Sequence, residues 1–299
     1  MNTNKKIAKK IERLGERYCR KYLKIWDKKA LENDWWTALN FFFSHSFMRG
    51  RRDKLSNEYH LFTISVLEEY FSIKGQGLTN AYNSLKNQNS FFDKNMILNF
   101  KEKKNIRFGN SIKDKDFEME ISSKNPLIKT LLTQKEIEVE WESTSYRKKI
   151  HLGNDRDIMM VLDVLDFISS ENIKMNIYNY LKNKIKTGIN SAYKELINIY
   201  AVGDKIATFT IRDIGMMNLK NVSIDIRFAF PVDTWVFKIA KKLGCEDMNI
   251  ENVKSFFIEI CEKNKIDPLK VNAGLWFLGF NSLDILLDNL GNIEILDKG

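Results

Sequence analysis

The chain has 299 residues, 43% of them hydrophobic and 12% aromatic, enough apolar material to fill one large or two ordinary domains. Its formal net charge of +9 suits a polyanionic partner, since lysines and arginines that neutralise phosphates release counterions and supply sequence-independent affinity. The three cysteines, Cys19, Cys245 and Cys261, lie far apart with no Cys-x-x-Cys; this excludes a four-cysteine zinc or iron–sulfur site and a disulfide framework, and predicts a reduced, intracellular protein.

The N-terminus carries lysines without an apolar signal core, and no uncharged apolar run reaches spanning length, so the expected location is the cytoplasm, nucleoid-associated in a prokaryote, with no membrane partner. Ile7, Ile11, Leu14, Tyr18, Tyr22 and Ile25 recur at spacings of three and four, which predicts an amphipathic helix over Lys5–Trp26 with a basic outer face, its apolar stripe interrupted by Gly15. Packing on the domain is the expected role; a helix lying on a membrane surface shares the chemistry. Asp34–Phe43 and Tyr59–Phe71 read as two buried helices, joined by a segment that holds Phe47, Arg49, Arg51 and Arg52. From Lys74 to about Gly153 the pattern changes: Phe117–Ile121 and Ile137–Trp141 alternate at period two, predicting a few strands in an inserted or elaborated segment of partial β character. His45, His60 and His151 are too few and too scattered for a metal cluster and read as surface or packing residues.

Helical periodicity returns at Arg156–Ile168 and Ile173–Lys186, then in Ser191–Ile199 and Lys205–Ile214, two stretches separated by the tight turn Tyr200-Ala201-Val202-Gly203-Asp204. That is a helix-hairpin-helix, with Gly203 placed where the backbone can approach a phosphate closely. Downstream, Pro231-Val232-Asp233-Thr234 puts a proline and then a short acid at the mouth of a helix over Thr234–Leu243, making Asp233 its N-cap. Val253–Lys263 and Val271–Phe280 follow, with Pro268 as a helix-start breaker. The expected architecture is mainly α, a two-lobed helical core in three segments: residues 1–73, the elaborated 74–153, and 154–299 with the hairpin.

The pairing of Gly203-Asp204-Lys205 with Pro231-Val232-Asp233-Thr234 resembles the helix-hairpin-helix DNA glycosylases, the superfamily that includes endonuclease III and the 8-oxoguanine glycosylases. The likeness is dense from about Asn190 to Leu243 and looser in the helix ending near Asn281. Three departures stand out. Tyr200-Ala201 replaces the family's Pro-Gly, Trp235 stands where the family has a histidine, and the spacing from lysine to aspartate is longer, with the extra residues expected in Met216–Ile226.

The resemblance implies that Lys205 is the nucleophile and Asp233 the essential acid, and that Tyr200, Ala201, Val202 and Gly203 contact the DNA backbone. It implies a partner, double-stranded DNA containing a modified base, met by a monomer. It places the loop of Arg49, Arg51 and Arg52 beside Phe47 on the DNA, for backbone contact and for filling the gap left by a flipped base; the competing reading is a solvated loop salt-bridged to Asp53 and Glu58. No cofactor is implied as required, though the carbonyls of Ile197, Ile199 and Val202 can hold a structural monovalent cation when DNA is bound. A lysine in this place implies a glycosylase that is also an abasic-site lyase. An oxidised purine is the first choice of base, an oxidised pyrimidine or a modified base in foreign DNA the alternatives. Trp235, Trp276 and Phe280 are candidate stacking partners for the base, or core. Two other classes stay open: a non-catalytic DNA-binding hairpin protein, and a basic helical module whose basic face meets an acidic protein or a membrane surface. In both, Lys205 is an exposed first-turn lysine and Asp233 an ordinary cap.

Overall fold

The computed structural model describes residues 3–48, 53–73, 133–141, 144–150, 155–170, 172–218 and 225–281, with a few single positions between them. The fold is mainly α. Helices α1 (Thr3–Tyr18), α2 (Lys28–Asn33), α3 (Trp35–Ser46) and α4 (Asp53–Ile73) precede a hairpin of β1 (Lys135–Trp141) and β2 (Thr144–Ile150). Helices α5 (Asp155–Ser169), α6 (Ile177–Thr187), α7 (Ile189–Ile197) and α8 (Asp204–Asn218) follow, then α9 (Thr234–Lys242), α10 (Ile250–Asn264) and α11 (Pro268–Phe280). Where the segments read from composition run one after another, the compact units interleave: one takes Met1–Lys28, Leu181–Lys194 and Asp204–Gly299, the other Lys29–Tyr180 and Glu195–Gly203.

In the first unit, α1 lies along α11. Gly15 makes this approach possible rather than interrupting a stripe: a Cβ there would fall 2.0 Å from the Lys270 carbonyl oxygen, and one at Gly274 would fall 1.9 Å from that of Ile11. Past Tyr18 the helix widens into a π-turn, Cys19–Leu23, which rotates the apolar face. Leu23 is therefore buried, while Ile25, expected on the buried stripe, is 71% exposed. Val236, Ala240, Val253, Phe257, Val271 and Leu275 build the core between α9, α10 and α11, with Phe230 stacked on Phe257 at 6.0 Å. Full burial of side chains such as these stabilises by about 1.5–3 kcal/mol each.

The second unit buries Phe41, Phe42, Phe43 and Phe47 from α3 and its C-cap, with Phe41 edge-on to Tyr178. Asp34, read from the sequence as the first residue of this helix, is its N-cap and accepts from the Trp36 and Thr37 amides. Two histidines are packing residues. His45 Nδ1 lies 2.8 Å from the Phe41 carbonyl oxygen, and His60 Nε2 lies 2.6 Å from Asn40 Oδ1. The strand expected at Ile137–Trp141 is present, paired antiparallel with Thr144–Ile150. That partner is too lysine-rich to announce itself, and its register opposes Glu138 to Arg147 and Glu136 to Lys149, a charge pairing that favours this alignment. The strand expected at Phe117–Ile121 lies outside the described residues, as does His151.

Candidate active site

The hairpin forms as the sequence predicts, with α7 ending at Ile197 and α8 beginning at Asp204. Ala201 adopts φ 60°, a left-handed conformation that glycine supplies freely and that alanine holds at a steric cost of about 1–2 kcal/mol. Two turn amides already have partners inside the chain. Tyr200 N–H donates to Asp163 Oδ2 at 2.6 Å, and Val202 N–H to the Ile199 carbonyl at 3.0 Å. The first amides of α8, by contrast, are ones that a helix start leaves without intrahelical partners, a chemistry suited to an anion. Gly203 stands there exposed, and a Cβ on it would meet nothing within 4 Å. The chain itself does not require glycine at this position; close approach from outside would.

Lys205 is half-buried in the first turn of α8, and its Nζ has no ion-pair partner among the described residues. Its neighbour Asp204 is held from two sides: Tyr193 donates to Oδ1 at 3.0 Å, and Lys254, 3% exposed, lies 3.4 Å from the same oxygen. Burial, then the Asp204 charge, push the Tyr193 hydroxyl up to about 12. An acid in the first turn would repel a phosphate from the helix N-terminus; Lys254 offsets that charge. Sequence reading missed both Lys254 and Tyr193, and Tyr193 does more than hold Asp204. Its ring packs at 4.8 Å on Phe228, in the 3-10 turn Ile226–Ala229.

That turn rests on α8 and leads to Pro231-Val232-Asp233, so the segment delivering the acid is seated on the helix that carries the lysine. Asp233 caps α9 as expected, with extended backbone. Its Oδ1 alone accepts both capping bonds, from Trp235 N–H at 2.9 Å and Val236 N–H at 3.0 Å. Oδ2 has no partner among the described residues, and the residue is half-buried. A carboxylate divided in this way can keep its cap while one oxygen faces a developing positive charge.

Around α11 the aromatic candidates separate. Trp276 is half-buried and stacks on Phe280 at 4.8 Å, while Phe280 is 37% and Trp235 39% exposed. Gly279 seats Trp235: a Cβ there would fall 2.2 Å from the indole Cγ, and Lys238 Nζ sits 4.7 Å above the ring. Phe47, by contrast, is fully buried against Phe43 and packs the core. Arg49, Arg51 and Arg52 lie outside the described residues. Rival nucleophiles are muted: burial pushes the Cys19 thiol up to about 11 and the Cys261 thiol up to about 12. Among the described residues no group of three His, Cys, Asp or Glu side chains could hold a metal ion, and no helix is long and apolar enough to cross a membrane. No family model, curated protein or solved structure matches the chain.

Proposed function

We propose that the chain is a bifunctional DNA N-glycosylase and abasic-site lyase that flips a modified base out of duplex DNA, excises it and nicks the strand, with an oxidised purine such as 8-oxoguanine as the first substrate to try. The reading is carried by the arrangement of Asp233, whose Oδ1 takes both capping bonds and leaves Oδ2 without a partner among the described residues, in the same unit as a half-buried Lys205 without an ion-pair partner there.

Taking the base out of the stack exposes the glycosidic carbon. The Lys205 amine attacks the sugar C1′ as the C–N bond to the base breaks, and the base leaves with its electron pair and a proton. Asp233 stabilises the oxocarbenium-like charge on the sugar. Loss of the amine proton and ring opening give an iminium, which acidifies the 2′ proton; its removal expels the 3′ phosphate, and water then releases the enzyme. The amides at the start of α8 hold a phosphate without reading sequence. A monovalent cation would fit the carbonyls of Ile197, Ile199 and Val202, because Ile199 keeps a second lone pair after accepting from Val202; its contribution would be to bridge the hairpin to phosphate.

Borohydride reduction in the presence of an abasic-site duplex tests the reading, beside strand cleavage on a panel of lesion duplexes. A covalent protein–DNA adduct that requires Lys205 supports it. Salt-sensitive binding of random duplex with no adduct and no cleavage favours the non-catalytic DNA-binding hairpin instead.

A further inference from the structure

We propose that Arg212 and Asn272 form a buried strut that fixes the position of Asp233 from the helix carrying Lys205; this rests on the proposed role of Asp233 as the essential acid. Arg212 lies two turns beyond Lys205 on α8 and is fully buried, its guanidinium sandwiched between the rings of Tyr18 at 4.7 Å and Phe209 at 4.3 Å. Nε donates to Asp213 Oδ1 at 2.8 Å, and Tyr18 donates to the other oxygen of Asp213. Nη1 donates to Asn272 Oδ1 at 2.9 Å, and Asn272 Nδ2 in turn donates to the Pro231 carbonyl at 2.8 Å. The chain of bonds thus runs from α1 through α8 and α11 to the residue two before Asp233.

Stability alone does not explain this arrangement. A buried ion pair stabilises no more, and often less, than apolar side chains of the same volume, because desolvation of both charges offsets their attraction. Arg212 Nη2 shows the residual cost: it is buried 2.8 Å from Asp213 Oδ1, in ion-pair range, yet makes no hydrogen bond. What a bonded chain supplies and an apolar core does not is direction. Asn272 uses its amide in both senses, accepting from the Lys205 helix and donating to the Asp233 loop, and so fixes the separation of the two. Without Asn272 the Pro231–Asp233 segment would be held by apolar packing, that of Phe230 and Val232 and of Phe228 on Tyr193, which fixes direction less closely than a hydrogen bond. Asn272 and Arg212 are positioning residues; neither needs to touch DNA.

Asn272→Asp is the selective test in the full-length protein. Aspartate keeps an acceptor for Arg212 and, in its ionised form, has no donor for Pro231. The expected result has three parts. Exchange of the Trp235 and Val236 amides, which Asp233 caps, accelerates by roughly tenfold or more, while the Ile211 and Ile214 amides of α8 are unchanged. Base excision at saturating DNA slows by about tenfold or more, on whichever lesion duplex wild type cleaves. Borohydride trapping on an abasic-site duplex, which reports on Lys205, stays within about threefold of wild type. Unchanged exchange at Trp235 and Val236 overturns the proposal. So does accelerated exchange throughout the unit with a lowered Tm, which would make the strut a general stabiliser. Asn272→Ala, which breaks both links without adding charge, is read in the same way if the aspartate variant does not fold; failure of both to fold also overturns it. If wild type neither traps nor cleaves on any duplex, the enzymatic reading fails, and the exchange data still decide whether the strut holds Asp233.

Discussion

Lys254 Nζ lies 3.4 Å from Asp204 Oδ1, which places a nearly buried ammonium against the one acid in the first turn of the Lys205 helix. The same ammonium lies 3.3 Å from Glu251 Oε1, so it offsets two acids. Lys254→Met keeps the apolar stem and removes the charge, leaving Asp204 and Glu251 without it. Under the proposed reading, DNA affinity falls by more than one exposed lysine contributes, and Lys254→Met with Asp204→Asn recovers most of the loss. The stability cost is about 1–2 kcal/mol, below that of breaking a fully buried pair, because the Asp204 side chain is 35% exposed. A double-mutant cycle on Kd and on denaturant midpoint checks both; additive effects on Kd would remove the coupling.

Ala201 at φ 60° makes an opposite kind of test, since here substitution should help. Ala201→Gly relieves the left-handed penalty but gives the unfolded chain more freedom, so the net gain is up to about 1 kcal/mol. The Tm should rise, with activity unchanged or improved. A fall in Tm would mean the methyl group packs favourably enough to outweigh its backbone.

The contact of α1 with α11 is less forgiving. A Cβ at Gly274 would sit 1.9 Å from the Ile11 carbonyl oxygen, and the obstacle is backbone, which cannot rotate aside. Gly274→Ala is expected to destabilise by about 3 kcal/mol, the upper end of overpacking costs. Gly203→Ala, with nothing within 4 Å of the added Cβ, should leave stability nearly unchanged and weaken DNA binding. Equal stability losses in the two variants would contradict the packing described for α1 and α11.

His60 gives the fold a pH dependence of definite sign. Burial, the largest influence, pushes its imidazole down to about 4 from 6.5, with the neutral ring held against Asn40 Oδ1. The folded state therefore disfavours the proton that the unfolded chain accepts. Its contribution is fully present above pH 6.5 and is lost as the pH falls through 4, amounting to about 3 kcal/mol at most. Carboxylates begin to titrate in the same range, so the comparison is with His60→Gln, whose Tm should fall less steeply than that of wild type between pH 7 and pH 4.5. Parallel slopes would assign the acid sensitivity elsewhere.

What the sequence made legible was local. Asp233 caps α9 because a short acid before an apolar run can reach two amides with no help from distant residues. The hairpin was legible for the same reason, as a tight turn between two apolar-periodic stretches. The residues that were missed act over long sequence separations. Arg212-Asp213 looks like a solvated pair, and Tyr18 and Asn272, brought in by α1 and α11, make its burial tolerable. The available signal was its context: Ile206–Gly215 is apolar apart from threonines and this one pair, and a helix buried on most sides leaves the pair nowhere to reach water. Gly15 was misread because a glycine in an apolar stripe looks the same whether it interrupts the stripe or admits a backbone.

Asp233→Asn and Lys205→Gln separate structure from chemistry most directly. Asparagine caps a helix about as well as aspartate, so Asp233→Asn should change stability by less than about 0.5 kcal/mol, with Oδ1 still accepting from Trp235 and Val236. It replaces the charged Oδ2 with an amide, and under the proposed function base excision then slows by at least about a hundredfold while lesion duplex still binds. Under the same reading, Lys205→Gln abolishes borohydride trapping and strand cleavage with Kd within a few-fold of wild type, because that reading has the amine form the covalent bond and spreads the phosphate contacts over many basic residues. Circular dichroism melts, filter binding and single-turnover cleavage measure the three quantities on the same preparations. Near-normal excision by Asp233→Asn would reduce that residue to a cap, and trapping retained by Lys205→Gln would place the nucleophile elsewhere; Lys254, nearly buried against Asp204, is then the next lysine to replace.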